Sequence, residues 1–163
     1  MEEQRPEKYK TNLESFDWRD KGVVNAIKDQ GQCGSCWAFS VIQAQESKWA
    51  IINKELLILS EQNLVDCVTS CSGCNGGNED ESYDYIINKQ KGLWNLEKDY
   101  PYTDVDGTCK FDAEKGVAKI VSYYRPTTTE SEDTVGGALA ADGVVSIAID
   151  ASNWSFQLYE SGI

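Results

Sequence analysis

The chain has 163 residues, 40% of them hydrophobic, which is enough for one substantial core, or for one complete lobe and part of a second, so we do not expect a largely disordered chain. Its net charge of −12 argues against a nucleic-acid-binding surface, because phosphate binding requires a basic patch. No apolar run approaches the roughly 20 residues of a membrane-spanning helix, and residues 1–12 are too charged for a signal peptide, so we expect any targeting signal to lie outside this chain.

The first part of the chain is predicted to be extended. Residues 1–14 are polar and show no hydrophobic periodicity, so we expect an extended leader. Residues 15–27 carry short apolar pairs split by Lys21 and Gly22, which favours an extended segment that crosses the surface and then turns. Residues 29–35 contain two glycines and no periodicity, and they are predicted to be a loop.

Three helices are predicted to follow. Between Cys36 and Ile52 there is no Gly or Pro, and apolar residues recur at helical spacing, which predicts a long buried helix beginning at or beside Cys36. Ser60 is predicted to cap a second, shorter helix that Cys67 closes. A third helix is predicted over residues 80–89.

The second half of the chain has the composition of strands. Residues 117–124 (VAKIVSYY) and 144–151 (VVSIAIDA) are rich in β-branched and aromatic residues, which predicts two strands. An acidic segment and an Ala-rich stretch, long enough for one helical turn or more, separate them. Helices followed by strands indicate an α+β fold class.

Six cysteines require a chemical explanation, and disulfides, a metal or cluster site, and a reactive thiol are the three available. Cys33 and Cys36 form a C-x-x-C pair that would suit a thioredoxin-like protein, but no strand of the required kind precedes it. Cys67, Cys71 and Cys74 have a spacing that could hold three irons of a [4Fe–4S] cluster, although the predicted elements do not supply a β/α barrel around them. Zinc held by cysteines alone is a further alternative.

Cys36 has the position expected of a nucleophile. A thiol attacks a carbonyl as the thiolate, and the N-terminus of a helix favours that form. Gln30 lies six residues earlier in a Gly-rich turn, from which its amide can reach the point to which the backbone N–H of Cys36 is directed. Together they would give two donors for the oxyanion of a tetrahedral intermediate. The alternative is that Cys36 is a small buried hydrophobic residue at the start of a helix.

The segment from Gln30 to Ser40 (QGQCGSCWAFS) resembles the active-site segment of papain-like cysteine proteases, especially their cathepsin L-like branch. Four further stretches agree with that family in order and spacing: residues 17–19 (DWR), 59–67 (LSEQNLVDC), 74–77 (CNGG) and 154–163 (WSFQLYESGI). The resemblance therefore covers about residues 15–163.

The resemblance implies roles for particular residues. Cys36 would be the nucleophile and Gln30 the oxyanion donor. The substrate-binding residues would be Gly34, Trp37, Gly76, Gly77, Asn78, Glu79 and Ala148. Cathepsin L-like enzymes usually carry apolar residues of the S2 pocket where Asn78 and Glu79 stand, and Ala148 should line the same pocket. A Glu79 that points inward would therefore favour a basic P2 residue. A Glu79 that faces solvent is the alternative.

The resemblance also implies the fold and its surroundings. It implies disulfides Cys33–Cys74 and Cys67–Cys109, and a helical lobe that faces a β-barrel lobe across the substrate cleft. Cys71 would remain as a free thiol, or as the partner of a group beyond residue 163. The family implies no cofactor, polypeptide substrates, protein inhibitors of the cystatin type and a monomer. Two structural disulfides suit a lysosome-like vesicle or secretion.

The resemblance divides the chain into a propeptide remnant (1–14), the N-terminal segment and helical lobe (15–125) and the truncated beginning of the β-barrel lobe (126–163). The catalytic His and Asn of the family are expected about 130–150 residues beyond the nucleophile. The chain ends at residue 163 and contains no histidine. We therefore expect a fragment that is inactive alone, or else a catalytically inactive papain-like binding protein.

Overall fold

The computed structural model describes residues 15–126 and 131–160. The leader predicted over residues 1–14 lies outside them. The described residues contain five α-helices, which are α1 (Cys36–Asn53), α2 (Glu61–Cys67), α3 (Glu79–Lys89), α4 (Glu132–Asp142) and α5 (Trp154–Gln157). Short 3-10 helices occupy Trp18–Lys21, Gly73–Asn75 and Ala113–Lys115. The first of these lies in the segment that was predicted to be extended.

Helix α1 is the centre of the fold, and it begins at Cys36 as the sequence predicts. It ends where Lys54 adopts a left-handed conformation and its N–H donates to the Ala50 carbonyl at 2.9 Å. Its apolar face packs against α2 and α3. Burying a side chain the size of Val, Leu or Ile contributes about 2 kcal/mol. The core consists largely of such side chains and two indoles: Trp37, Val41, Ile42, Leu59, Leu64, Val65, Val68, Ile86 and Trp94.

The starts of α2 and α3 are fixed by capping side chains. The Ser60 hydroxyl accepts the Asn63 N–H at 3.0 Å, which confirms the predicted cap. The same hydroxyl donates to the carbonyl of Tyr100 at 2.6 Å and so joins α2 to a distant loop. Helix α3 begins one residue earlier than predicted, because Asn78 accepts the Asp80 N–H at 2.9 Å and the residue between them enters the helix.

The prediction of two strands is wrong for the described residues. Neither 117–124 nor 144–151 forms a strand. Among all the described residues, the only β pairings are isolated antiparallel bridges between Leu59 and Leu96 and between Trp94 and Val117. A strand requires a neighbour for its backbone N–H and C=O groups, and segment 144–151 has no ladder partner in the part of the chain described. Its apolar side chains Ile147 and Ile149 are consequently 63% and 60% exposed.

The Ala-rich stretch becomes helix α4, which is longer than the minimum of one turn. The Ser131 hydroxyl caps it by accepting the Thr134 N–H at 3.4 Å. The Trp18 indole N–H donates to the Leu139 carbonyl at 2.7 Å, so α4 also holds the N-terminal segment. No described helix has the length and apolar content needed to cross a membrane.

Candidate active site

The Cys36 thiol is exposed at the first residue of α1. The Ser35 carbonyl accepts the N–H groups of Ala38 at 2.8 Å and Phe39 at 3.2 Å, and these bonds close the first turn of the helix. As the first helical residue, Cys36 has no preceding turn to accept its own N–H. The partial positive charge of the helix end therefore lies beside an accessible sulfur. This position contradicts the alternative of a buried structural cysteine.

The Gln30 side chain is held within the loop that leads to Cys36. Its Nε2 atom donates to the carbonyl of Cys33 at 2.8 Å. A primary amide carries two hydrogens on this nitrogen, so one remains for a further acceptor. Convergence of this hydrogen with the Cys36 N–H on one oxyanion remains a prediction.

The loop around Gly73–Asn75 is attached directly to the start of α1. The Cys33–Cys74 disulfide joins the two segments. Beside it, the Gly34 N–H donates to the Cys74 carbonyl at 2.8 Å. A Cβ atom at Gly34 would lie 2.5 Å from that carbonyl oxygen, so only glycine permits this approach.

The Trp37 indole fixes the far side of the same loop. The ring is buried, and its N–H donates to the Gly73 carbonyl at 3.0 Å, which satisfies the polar atom of the indole. Gly77 lies against the ring, and a Cβ there would be 2.5 Å from Trp37 Cδ2. The structure thus brings Gly34, Trp37 and Gly77 together at the start of α1.

The disulfides identify the role of most of the cysteines. Cys33–Cys74 and Cys67–Cys109 are both bonded, as the family resemblance implies. Cys33 is therefore not paired with Cys36, and two of the three proposed iron ligands are already used in disulfides. The structure thereby contradicts the thioredoxin-like pair and the [4Fe–4S] cluster.

Cys71 is the second free thiol, and its surroundings differ from those of Cys36. Its sulfur accepts the Asn78 N–H at 3.4 Å and lies 3.5 Å from the Glu81 carboxylate. Burial raises the pKa of the Cys71 thiol. A raised pKa disfavours the thiolate and hence reactivity.

The three residues predicted for the S2 pocket occupy two separate segments. Asn78 is exposed and caps α3, and Glu79 is its half-buried first residue. Ala148 is exposed in the segment that follows α4. No hydrogen bond or disulfide among the described residues ties Ala148 to the other two, so their grouping stays a prediction.

An ion cluster that the sequence does not predict anchors the segment just before Gln30. Lys28 Nζ donates to Glu46 at 2.8 Å and to Glu61 at 2.6 Å. Glu46 also accepts the Asn25 amide and the Leu59 N–H, whereas the Glu61 carboxylate is bonded by Lys28 and by its own backbone N–H. Burial raises the pKa of Glu61 to about 7, against the opposing effect of Lys28. One cation is thus shared by two buried carboxylates.

Residues 102–104, which the sequence also does not single out, hold the loop that leads to Cys36. Tyr102 donates to the Gln30 carbonyl at 2.8 Å, and Asp104 accepts the Cys33 N–H at 2.8 Å. These partners are separated by about 70 positions, so no local spacing predicts them.

Comparison with known proteins gives consistent matches. Residues 13–163 match the family model described as "Papain family cysteine protease". The chain is 50% identical to cysteine proteinase RD21A of Arabidopsis thaliana over 153 residues, or 92% of this chain and 32% of that protein. It is 44% identical to mouse (Mus musculus) procathepsin L over 151 residues, which cover 91% of this chain and 44% of that protein. It thus spans less than half the length of these curated relatives.

A solved structure supports the same fold. A digestive procathepsin L2 proteinase from the larval midgut of Tenebrio molitor aligns with a TM-score of 0.74 at 38% identity, covering 82% of this chain and 42% of that one. The described residues therefore correspond to the helical lobe of the papain-like α+β fold and the truncated beginning of its β-barrel lobe.

Proposed function

Because the chain belongs to the papain family of cysteine proteases, we propose that the full-length protein carrying it is a cysteine endopeptidase with Cys36 as nucleophile. The observation that carries this proposal is the exposed thiol at the first residue of an 18-residue helix. The adjacent Gln30 amide and the Cys36 N–H are the donors proposed for the oxyanion. Such donors typically contribute about 100-fold or more to kcat.

The proposed reaction proceeds through an acyl-enzyme. The Cys36 thiolate attacks the carbonyl carbon of the scissile peptide, and the carbonyl π electrons move to oxygen, which the two donors stabilise. Collapse of this intermediate re-forms the carbonyl as a thioester and expels the amine, which takes up a proton from the general acid. Water then hydrolyses the thioester and restores the thiol.

The proton acceptor for the thiol is proposed to be a histidine beyond residue 163. The 163 residues contain none, and the relatives are more than twice as long. We accordingly expect the 163-residue chain alone to show no peptide hydrolysis, and turnover by that purified chain would contradict this expectation.

An extended polypeptide is the proposed substrate. Gly76 and Gly77 would present backbone groups to it, since glycine permits the closest approach. The buried Trp37 ring would support Gly77 from behind. Glu79 and Ala148 would border the S2 pocket. If Glu79 faces solvent, Glu79→Gln leaves the relative hydrolysis of P2-Arg and P2-Leu dipeptide substrates unchanged. A selective loss with P2-Arg would instead place the carboxylate in the pocket.

The division of the chain and its surroundings are proposals of the same kind. Residues 1–14 would end a propeptide, 15–125 form the helical lobe and 126–163 begin the β-barrel lobe. The similar proteins include procathepsins, two of them described as digestive, and two disulfides suit an oxidising compartment. We place the enzyme in a lysosome-like vesicle or outside the cell, as a monomer open to cystatin-type inhibitors.

Covalent labelling tests the proposed nucleophile directly. A peptidyl vinyl sulfone or epoxide should label Cys36 in the full-length protein and abolish peptide hydrolysis. Cys36→Ala should prevent both labelling and turnover, whereas the control Cys71→Ser should retain both. Labelling at Cys71, or active protein without Cys36, would overturn the assignment. A residue other than histidine at the position of the base would favour the inactive binding protein.

A further inference from the structure

The Tyr102 hydroxyl lies between the two ends of the loop that leads to Cys36. It donates to the backbone carbonyl of Gln30 at 2.8 Å and lies 2.7 Å from Ser35 Oγ. A phenol has one hydrogen, and a carbonyl can only accept, so the Ser35 hydroxyl must be the donor in the second bond. The bonds form a chain from Ser35 through Tyr102 to Gln30, in which each bond polarises the next.

Tyr102 is itself held firmly by the surrounding structure. Its backbone N–H donates to Glu97 at 2.9 Å, and its ring packs edge-on against Phe39 of α1, with ring centroids 5.0 Å apart. The next residue, Thr103, donates its N–H to the buried side chain of Gln62 in α2 at 2.9 Å. The hydroxyl is therefore presented to the loop from a rigid support.

The phenol also keeps its proton. Burial raises the pKa of Tyr102 above its ordinary value, and the nearby carboxylates of Asp104, Glu61 and Asp29 act in the same direction, although the Ser35 hydrogen bond opposes them. At neutral and acidic pH the hydroxyl is consequently a donor to Gln30.

We propose that Tyr102 is a positioning residue that fixes the Gln30 amide relative to the Cys36 N–H. Its hydroxyl joins Gln30, which carries the first proposed oxyanion donor, to Ser35, which precedes the second donor at Cys36. This inference rests on the proposed function. A displacement of about 1 Å at a catalytic group can reduce the rate by about 100-fold. Loss of the hydroxyl should therefore reduce transition-state stabilisation and leave substrate binding largely intact.

Tyr102→Phe and Tyr100→Phe in the full-length protein form a matched pair. Tyr100 lies two residues away, donates to Asp66 at 2.7 Å and accepts the Lys110 N–H at 3.0 Å, so its hydroxyl also makes two bonds in the native structure. Those bonds do not involve the loop before Cys36. Each variant retains its aromatic ring.

Three measurements separate positioning from general destabilisation. For Tyr102→Phe we expect kcat to fall about 10-fold or more, with KM changed less than about 2-fold. Affinity for a peptide aldehyde should fall by a similar factor, because the hemithioacetal oxygen occupies the oxyanion position. The rate of Cys36 alkylation by iodoacetamide should not change, since alkylation needs no oxyanion donor. Tyr100→Phe should lower stability and leave all three unchanged.

Amide hydrogen exchange over residues 31–35, in the Cys36→Ala background, tests the positioning without requiring activity. Tyr102→Phe should accelerate it, and Tyr100→Phe should not. Unchanged exchange, or equal losses of kcat in the two variants, would overturn the role of Tyr102. The wild-type full-length protein could fail both to hydrolyse peptides and to react at Cys36, which would reject the peptidase function. Accelerated exchange in Tyr102→Phe would then still support the positioning role of Tyr102.

Discussion

Replacing Glu61 with glutamine should remove a pH dependence of stability that comes from the ion cluster. Glu46 and Glu61 have 0% and 2% of their side-chain surface exposed, and both contact the single cation Lys28. Glu46 has further donors in Asn25 and Leu59, so the excess negative charge is stabilised least at Glu61. Glu61 is therefore the group that takes up a proton in the folded state.

The size of the effect follows from the pKa of Glu61. Burial raises it from the ordinary 4.5 to about 7. The folded protein thus binds this proton more tightly than the unfolded chain, and the contribution of Glu61 to stability is greatest below pH 4.5 and decreases as the pH rises to 7. At about 1.4 kcal/mol for each pH unit between the two values, the contribution of Glu61 to the stability of the wild type should fall by roughly 3 kcal/mol over this range. The amide of the Glu61→Gln variant cannot ionise, so that variant should not show this loss.

Denaturant unfolding of the full-length protein from pH 4.5 to 7.5 measures the effect, in a Cys36→Ala background that prevents self-digestion. The stability of Glu61→Gln relative to the parent should increase with pH and level off above 7. Glu114→Gln at an exposed carboxylate is the control, and its difference from the parent should stay flat. A flat difference for Glu61→Gln, or one that decreases with pH, would show that the ion pair with Lys28 outweighs the cost of burial.

Two further substitutions test contacts near the site by denaturant unfolding. Gly77→Ala should lower the free energy of unfolding by about 1–3 kcal/mol, because its Cβ would overlap the Trp37 ring. The control Gly136→Ala in α4, where a Cβ meets no atom within 4 Å, should not destabilise the protein. Equal effects of the two substitutions would refute the clash. Ser60→Ala should lower the free energy of unfolding by about 1 kcal/mol, because the α2 cap is lost. Ser60→Thr should restore part of that stability. Full stability of the alanine variant would contradict the role of the cap.

The helical part of the fold could be predicted because its signals are local. The absence of Gly and Pro after Cys36 and the apolar spacing specify α1, and Ser60 specifies the start of α2. The strands at 117–124 and 144–151 could not be predicted in the same way. Side-chain composition favours a strand, but backbone pairing with a second segment decides whether one forms.

The loop that leads to Cys36, the proposed nucleophile, could also be recognised from local sequence, since Gln30 and Cys36 lie within seven consecutive residues. Their supports could not. Glu46 lies on the inward side of α1, where the apolar spacing predicts only hydrophobic packing, and it is fully buried. Its charge is tolerated because Lys28, Asn25 and Leu59 converge on it in three dimensions.

The loop that leads to Cys36 depends on side chains that are distant from it in sequence. Gln30 and Cys36 are placed by one short segment, but that segment is anchored on both sides by residues from other parts of the chain. On its N-terminal side, Lys28 binds the carboxylates of Glu46 in α1 and Glu61 in α2. Tyr102, which lies about 70 residues later in the sequence, bonds to both ends of the segment. Because both supports are polar and partly or fully buried, each is sensitive to loss of a single partner. Variation in catalytic rate within this scaffold should therefore arise from positions far from Cys36 in sequence as well as from the motif itself.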